Sequence, residues 1–255
     1  MRLATFQMGK DFILTDDGIL RGAVGTPQMA AVGHHLGTPD PAWFTPAFWR
    51  DNDAVTGAAP GRGASLFVDP GLLGVSGQQW VLRPYRRGGM AARLSESRYV
   101  WTGLARTRGF RELRLTAELH ARGLPVPAPV AAHVRRYGPS YAATLLTVRL
   151  PGAQALAEHL PRAEEALLER VGSTIRHFHD AGLDHVDLNA RNLLVTPDER
   201  VWLIDLDRCR LRKPGTWREA NLQRLERSLE RFAPGQGKRL LRQIRHGYHS
   251  PTTVT

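Results

Sequence analysis

The sequence predicts an α+β protein with a β-rich N-terminal lobe and a mainly helical C-terminal lobe. Three observations carry that expectation. Short apolar runs of strand length, such as Leu66–Val68, Gln79–Arg83 and Ala142–Val148, mark the first part of the chain, and runs of this length bounded by turn residues read as strands. Apolar residues at helical spacing mark the second part, in Arg162–Ala181 and Trp217–Phe232. Between the two, Arg149-Leu150-Pro151-Gly152 breaks both patterns. Lobes of residues 1–150 and 151–255 are therefore expected to hinge there, within one continuous unit.

From the N-terminus, Phe12-Ile13-Leu14 followed by Asp16-Asp17-Gly18 predicts a short strand and a turn. His34-His35 has no further ligand type at a suitable spacing, so a metal site is not expected there. Trp43, Phe44, Phe48 and Trp49 suit a packing cap on the lobe rather than a base-stacking platform. Gly61-Arg62-Gly63-Ala64-Ser65 precedes the Leu66 strand. Small residues let backbone amides approach an anion closely, although Gly-x-Gly alone reads as a turn. Phe110, Leu113 and Ala117 share a helical face over 110–122, with Gly123 as the cap. Pro125–Val130 is extended, because a residue before proline is pushed out of the helical region. Tyr137-Gly138-Pro139-Ser140 is a turn ahead of the Ala142–Val148 strand.

In the second lobe, Leu167 or Leu168, Val171, Ile175 and Phe178 define a helix that Gly182 ends. His177 and His179, near its end, are expected to pack rather than react. Arg208–Pro214 is expected to be a basic loop. Trp217–Phe232 turns Leu222, Leu225, Leu229 and Phe232 inward and its arginines outward. Residues 251–255 are expected to fray.

The chemistry lies in His185–Asp207. Leu193-Leu194-Val195, the turn Thr196-Pro197-Asp198-Glu199, and Val201–Ile204 read as a hairpin. Asp187, Asn189 and Asn192 precede its first strand, and Asp205 and Asp207 follow its second. Closing the hairpin brings Asp187, Asn192 and Asp205 toward one pocket. Phosphoryl transfer needs such a set: an acid on a loop to align a hydroxyl, and an amide with a second acid to hold a divalent cation against the phosphates. Turn-capping Asp and Asn residues are the plainer alternative.

The run His185-x-Asp187-x4-Asn192, with Ile204-Asp205-Leu206 after it, resembles the catalytic loop and magnesium motif of the protein-kinase-like superfamily. More narrowly, His185–Leu194 with Ile204–Asp207, Val81-Leu82-Arg83-x-Tyr85-Arg86-Arg87-Gly88-Gly89 and Arg98-Tyr99-Val100-Trp101-Thr102-Gly103 resemble the lipopolysaccharide core kinases. Within that family the likeness is to the 3-deoxy-D-manno-octulosonic acid (Kdo) kinases, over roughly residues 60–232. The resemblance implies a two-lobed protein-kinase-like fold. It also implies ATP-dependent phosphorylation of the 4-hydroxyl of Kdo on a Kdo-bearing lipid A precursor, in lipopolysaccharide core biosynthesis.

Residue roles follow from the same likeness. Asp187 would accept or orient the hydroxyl proton, and Asn192 and Asp205 would hold Mg2+ against ATP. Gly61 and Gly63 fall where such folds have their phosphate loop. Arg83 stands where most of them have lysine, and an arginine binds phosphate through a bidentate fork. Glu112 is the expected partner of Arg83, with Glu118 as the alternative and simple exposure as the plain reading of Glu112. His185 would support the loop, and Arg191 would meet the transferred phosphate or pair with an acid. Asp207 replaces the glycine of the usual Asp-Phe-Gly, which argues against a flexible activation switch. It would be a second metal ligand or a partner of Arg208 or Arg210.

Composition narrows the partners. The 255 residues, 42% hydrophobic, are enough for a sizeable core. The net charge of +11, nearly all arginine, suits nucleic acid, an anionic membrane surface or a phosphorylated substrate. No clustered Lys/Arg–aromatic motif of the RNA-binding kind occurs, so nucleic acid is not expected. Arg83 to Arg114 is the most basic stretch, expected to face an anionic acceptor or lipid headgroups, or else solvent. No apolar run approaches the ~18–20 residues that span a bilayer. Met1–Phe6 lacks a signal-peptide core, and the single Cys209 excludes an internal disulfide. The expectation is a peripheral enzyme on the cytoplasmic side of the cell inner membrane. Two alternatives remain open. One is a kinase for a heptose or an aminoglycoside-like acceptor, whose sites are usually acidic. The other is a nucleotide-binding pseudokinase, against which the intact Asp187, Asn192 and Asp205 argue.

Overall fold

Alternating apolar residues build an antiparallel sheet that is covered on both faces. The computed structural model describes residues 3–16, 38–59, 65–86 and 98–250. The chain divides into two units, residues 1–117 with 128–149, and residues 118–127 with 150–255. In the first unit, β1 (Leu3–Met8), β2 (Asp11–Asp16), β3 (Val55–Ala58), β4 (Leu66–Val68), β5 (Trp80–Pro84), β6 (Tyr99–Val100), β7 (Pro129–Tyr137) and β8 (Ser140–Val148) are strands. Their order is β1-β2-β7-β8-β5-β4-β3, with β6 also paired to β8. Adjacent residues on a strand point to opposite faces. Thus Ile13, Ala131 and Leu146 join one core cluster, while Leu14, Ala132 and Leu145 join the other.

The first cluster is closed by Trp43, Phe44 and Trp49, the last on α1 (Pro46–Asp51). Thr45 caps that helix by accepting from the Phe48 N–H. The aromatic residues are the packing cap that the sequence suggested: Trp49 is fully buried and its Nε1 donates to Trp43 O over 2.7 Å. The second cluster is closed by Phe110 and Leu113 of α2 (Arg108–Ala121). Strand β1 was not among the expected strands, although half-buried Ala4, Phe6 and Met8 alternate with exposed Thr5 and Gln7 along it. His34-His35 lies outside the described residues.

Residues 118–127, which the sequence grouped with the first lobe, go with the second unit. Their hydrogen bonds give the reason. Leu203 N donates to Pro125 O over 2.9 Å, and Arg122 Nη1 donates to Ala181 O over 3.4 Å.

The second unit contains β9 (Gln154–Ala155), α3 (Leu156–His159), α4 (Glu165–Asp180), β10 (Leu183–Asp184), β11 (Leu193–Val195), β12 (Val201–Leu203), β13 (Arg210–Leu211), α5 (Trp217–Phe232) and α6 (Gly237–His249). The expected hairpin is β11–β12, registered from Leu193↔Leu203 to Val195↔Val201, with β9 on the other edge of β11. One expectation is corrected. The stretch read as a basic loop contains β13, which pairs with β10 through Leu183↔Leu211 and Asp184↔Arg210. Arginines that look solvated in sequence are drawn there by a buried carboxylate, as the next section describes.

Helix α6 had no counterpart among the expectations. It buries Leu240, Leu241, Ile244 and Tyr248 and lies against α4. Two glycines set that contact. A Cβ on Gly172 of α4 would stand 1.9 Å from Ile244 O, and one on Gly247 of α6 would stand 2.1 Å from Glu169 O. The helices therefore meet backbone to backbone.

Candidate active site

The loop between β10 and β11 is shaped by asparagines. Asn189 Oδ1 accepts from the N–H of Arg191 (2.9 Å) and of Asn192 (3.2 Å). Asn189 Nδ2 and Asn192 Nδ2 both donate to Asp187 O, over 2.9 and 3.0 Å. These bonds tie Asp187 to Asn192 through the main chain and leave the Asp187 side chain exposed. Among the described residues no hydrogen bond or ion pair reaches the Asp187 carboxylate, and none reaches Asn192 Oδ1. Across the hairpin, Ile204 N donates to Asn192 O over 3.0 Å, which sets Asp205 next to the pair. Asp205 has φ 60°, in the left-handed region. A non-glycine residue held there marks a position that the surrounding structure determines. The hairpin thus brings Asp187, Asn192 and Asp205 together.

The loop rests on buried polar groups that sequence reasoning missed. Asn221 of α5 is fully buried; its Oδ1 accepts from His185 N over 2.9 Å and its Nδ2 donates to Asp184 Oδ1 over 3.0 Å. Seven residues on, Ser228 Oγ accepts from Ala190 N over 3.0 Å. Helix α5 therefore grips the loop at both ends. Asp184 also meets Arg212 at 3.0 Å and Arg210 at 3.7 Å. Burial alone would raise the Asp184 pKa, but the Asn221 amide and the Arg212 guanidinium outweigh it and hold the carboxyl below its usual value. The sequence did carry a signal: Asn221 lies in the helix between Trp217, Leu222 and Leu225, all inward-facing. A polar residue on an apolar face asks for a buried partner.

His185, expected to support the loop, is buried, and its Nε2 lies 3.1 Å from Ile204 O. Burial pushes its imidazole below the ordinary value, with the Ile204 carbonyl opposing. That favours a neutral side chain bridging the loop and β12 over a reacting one. Arg191 lies over the Phe232 ring at 4.9 Å, and no acid pairs with it among the described residues. Arg210, one of the suggested partners of Asp207, lies 3.7 Å from Asp184.

His177 is exposed while His179 is 1% exposed. His179 Nδ1 lies 2.9 Å from the Tyr248 hydroxyl. Burial, then the Arg218 charge, push the His179 imidazole down to about 4. An unfolded histidine protonates near its ordinary pKa of about 6.5. The stability from keeping this ring neutral is therefore complete above that value and is lost as pH falls from there toward 4. The loss amounts to about 3 kcal/mol. Urea unfolding across that range should record it, and an imidazole NMR titration should find His179 uncharged at pH 5. A His179 midpoint near that of free histidine would refute the assignment.

In the first unit, Arg83 on β5 and Glu112 on α2 form the expected ion pair. Glu112 is 3% exposed; one oxygen takes the Arg83 guanidinium and the other the Tyr85 hydroxyl. Glu118 pairs instead with Arg122, one turn along its own helix. The Arg83 guanidinium also lies 4.9 Å from the Tyr85 ring centroid. Tyr85 was not singled out as a site residue, because its hydroxyl partner is 27 positions away in sequence. Gly61 and Gly63 lie outside the described residues.

The donor set at the hairpin consists of hard oxygens, an Asn amide and Asp carboxylates. That suits Mg2+, which takes few protein ligands and completes its shell with phosphates and water. No group of three or more His, Cys, Asp or Glu residues that could hold a metal by itself occurs among the described residues. The residues present fit a cation shared with a polyphosphate.

An acid that no described residue bonds, an amide and second acid beside it, and a half-buried Arg–Glu pair in the first unit are the residue set of a phosphotransferase. The chain belongs to the lipopolysaccharide kinase (Kdo/WaaP) family, whose sequence model matches residues 46–248. It is 50% identical to a 3-deoxy-D-manno-octulosonic acid kinase of Xanthomonas axonopodis pv. citri (strain 306), over 192 residues that cover 74% of this chain and 75% of that one. The kinase of the same name from Xylella fastidiosa (strain M12) is 48% identical over 188 residues, 73% of each chain. Among solved structures, a Cydia pomonella granulovirus kinase matches with a TM-score of 0.42 and 11% identity, covering 62% of this chain and 52% of its own.

Proposed function

We propose that the protein transfers the γ-phosphoryl group of ATP to the 4-hydroxyl of Kdo on a lipid A precursor, in lipopolysaccharide core biosynthesis. The observation that carries this reading is the Asp187 carboxylate, exposed and bonded by no other described residue, on a loop that three side-chain amides and Ser228 hold in shape. The names of the relatives supply the acceptor. In the reaction, the sugar oxygen forms a new P–O bond as the bond from the γ-phosphorus to the bridging oxygen breaks. ADP leaves, and the hydroxyl proton passes to Asp187. Asn192 and Asp205 would hold Mg2+, which offsets phosphate charge when bound. Arg83, fixed by Glu112, would hold phosphate oxygens, with the backbone at Gly61 and Gly63 as a further contact. The two units would act as one catalytic unit.

The acceptor is anionic and lipid-borne, so the enzyme would work on the cytoplasmic side of the inner membrane as a peripheral protein. A net charge of +11 supports that placement, and no described helix is long and apolar enough to cross a membrane. No role with nucleic acid is part of this reading.

Acceptor competition tests it. With ATP and Mg2+, phosphate should appear on detergent-dispersed Kdo-bearing lipid A precursor, and not on a free heptose or an aminoglycoside. Turnover of either of the latter without turnover of the Kdo lipid would sink the acceptor assignment and leave the kinase. Absence of turnover on all three would favour a pseudokinase.

A further inference from the structure

One end of the first unit's sheet presents an apolar and arginine surface that the catalytic reading does not use. Among the described residues the exposed large hydrophobics are Leu72, Val100 and Tyr137, and two of these three are neighbours. Ser140 of β8 pairs with Tyr137 of β7 on one side and with Val100 of β6 on the other. Directly paired residues share a face, so Tyr137, Ser140 and Val100 form one row across the sheet. The next row, Tyr99 and Tyr141, points to the other face and is buried. Val100 is 67% exposed and Tyr137 is 36% exposed.

Arginines rim this row. Arg98 lies over the Tyr137 ring at 4.3 Å and Arg135 reaches the same ring at 5.8 Å. Arg136, in register with Tyr141, turns to the opposite face and lies over Trp101 at 4.8 Å, and Lys10 is at the same end, its carbonyl accepting from Arg136 N. No Asp or Glu occurs between Arg98 and Arg111, or between Pro129 and Ala157. The carboxylate in register with Arg135 is Asp11, which is turned inward: it is 9% exposed, 2.7 Å from His133 Nε2 and 3.7 Å from Arg135.

We infer that the tip of the β7–β8 hairpin, with β6 beside it, docks on an anionic phospholipid surface through Val100 and Tyr137, with Arg98 and Arg135 on lipid phosphates. An aromatic ring and an aliphatic side chain rimmed by arginine match the boundary between headgroups and acyl chains. The same features fit a nucleic acid poorly. The Tyr137 ring is covered by Arg98 rather than open for a base to stack on, and Val100 has no π-face. The inference deepens the membrane placement proposed above, and its test does not depend on the acceptor.

The test is sedimentation of the full chain with phosphatidylcholine vesicles and with phosphatidylglycerol–phosphatidylcholine vesicles, at low and high salt. Wild type should bind only the anionic vesicles. Arg98→Gln with Arg135→Gln should lower binding by roughly 25-fold at low salt, at about fivefold per arginine, and by little at high salt. Val100→Ser with Tyr137→Ser should lower it by about tenfold at either salt, because apolar insertion is not screened. Wild-type binding by both double variants would overturn the inference. So would failure of wild type to bind anionic vesicles, or an oligonucleotide bound in their place with the same loss in the variants. Phosphate transfer to a detergent-dispersed acceptor should be unchanged in both double variants, so failure of the kinase reading would appear separately.

Discussion

Asp187→Asn should fall in kcat by about a thousandfold, within the hundredfold to ten-thousandfold range of a lost general base, while its melting temperature stays within about 2 °C of wild type. The combination is what matters. Asp187 is exposed, and nothing among the described residues bonds its carboxylate. The loop is held by Asp187 O, which the substitution leaves in place. A side chain with no structural partner contributes little to folding, so a large loss of rate can only come from the reaction. Asn192→Ala gives the contrast. Asn192 is 9% exposed and its Nδ2 holds Asp187 O. Its loss should lower stability by about 1 kcal/mol as well as the rate, because Asp187 O then keeps only the Asn189 amide as side-chain donor. Steady-state kinetics and thermal melts on both variants decide the point. If Asp187→Asn keeps its rate within a few-fold, the residue is a turn cap and not the base.

The legible part of the site was its local part. Asp187, Asn192 and Asp205 lie within one hairpin, and the pairing of two apolar runs fixes where their flanks go. The Arg83–Glu112 pair was legible only as a guess between two acids of one helix. What decides it is side-chain burial: Glu112 faces the sheet, while Glu118 bonds Arg122 within the helix. The anchors beneath the loop were not legible, because Asp184 meets Asn221 across 37 positions and Arg212 across 28. A sequence shows polar residues but not which of them close a distance. The basic stretch read as a loop went wrong for the same reason: the pull of Asp184 on Arg210 and Arg212 gives β13 its place. Helix α6 failed differently. Its apolar residues recur at helical spacing, but glycine opens it and recurs near its end, and glycine is the poorest helix former after proline. In this helix the glycine at 247 is required by the packing.

That requirement gives the second large effect. In an open helix, Gly→Ala stabilises by about 1 kcal/mol, so Gly172→Ala would ordinarily help. Here the sign should reverse. The added methyl would lie 1.9 Å from Ile244 O and 2.6 Å from Tyr248 N, both main-chain atoms of α6. Ordinary contact is about 3.5–4.0 Å, so α6 must move away by more than an ångström. That movement unpacks Leu240, Leu241 and Ile244, all buried, and draws the Tyr248 hydroxyl from His179. The expected loss is several kcal/mol, a large part of the ~5–15 kcal/mol that a domain holds in total. Gly247→Ala, whose methyl would meet Glu169 on α4, should do the same from the other side. Activity should go with stability, because Ile175 and Phe178 of α4 line the same apolar gap as His185 and Leu188 of the loop between β10 and β11. Circular dichroism melts and the transfer assay on each alanine variant test this. A Gly172→Ala protein that melts at or above the wild-type temperature would mean that the helices do not meet backbone to backbone.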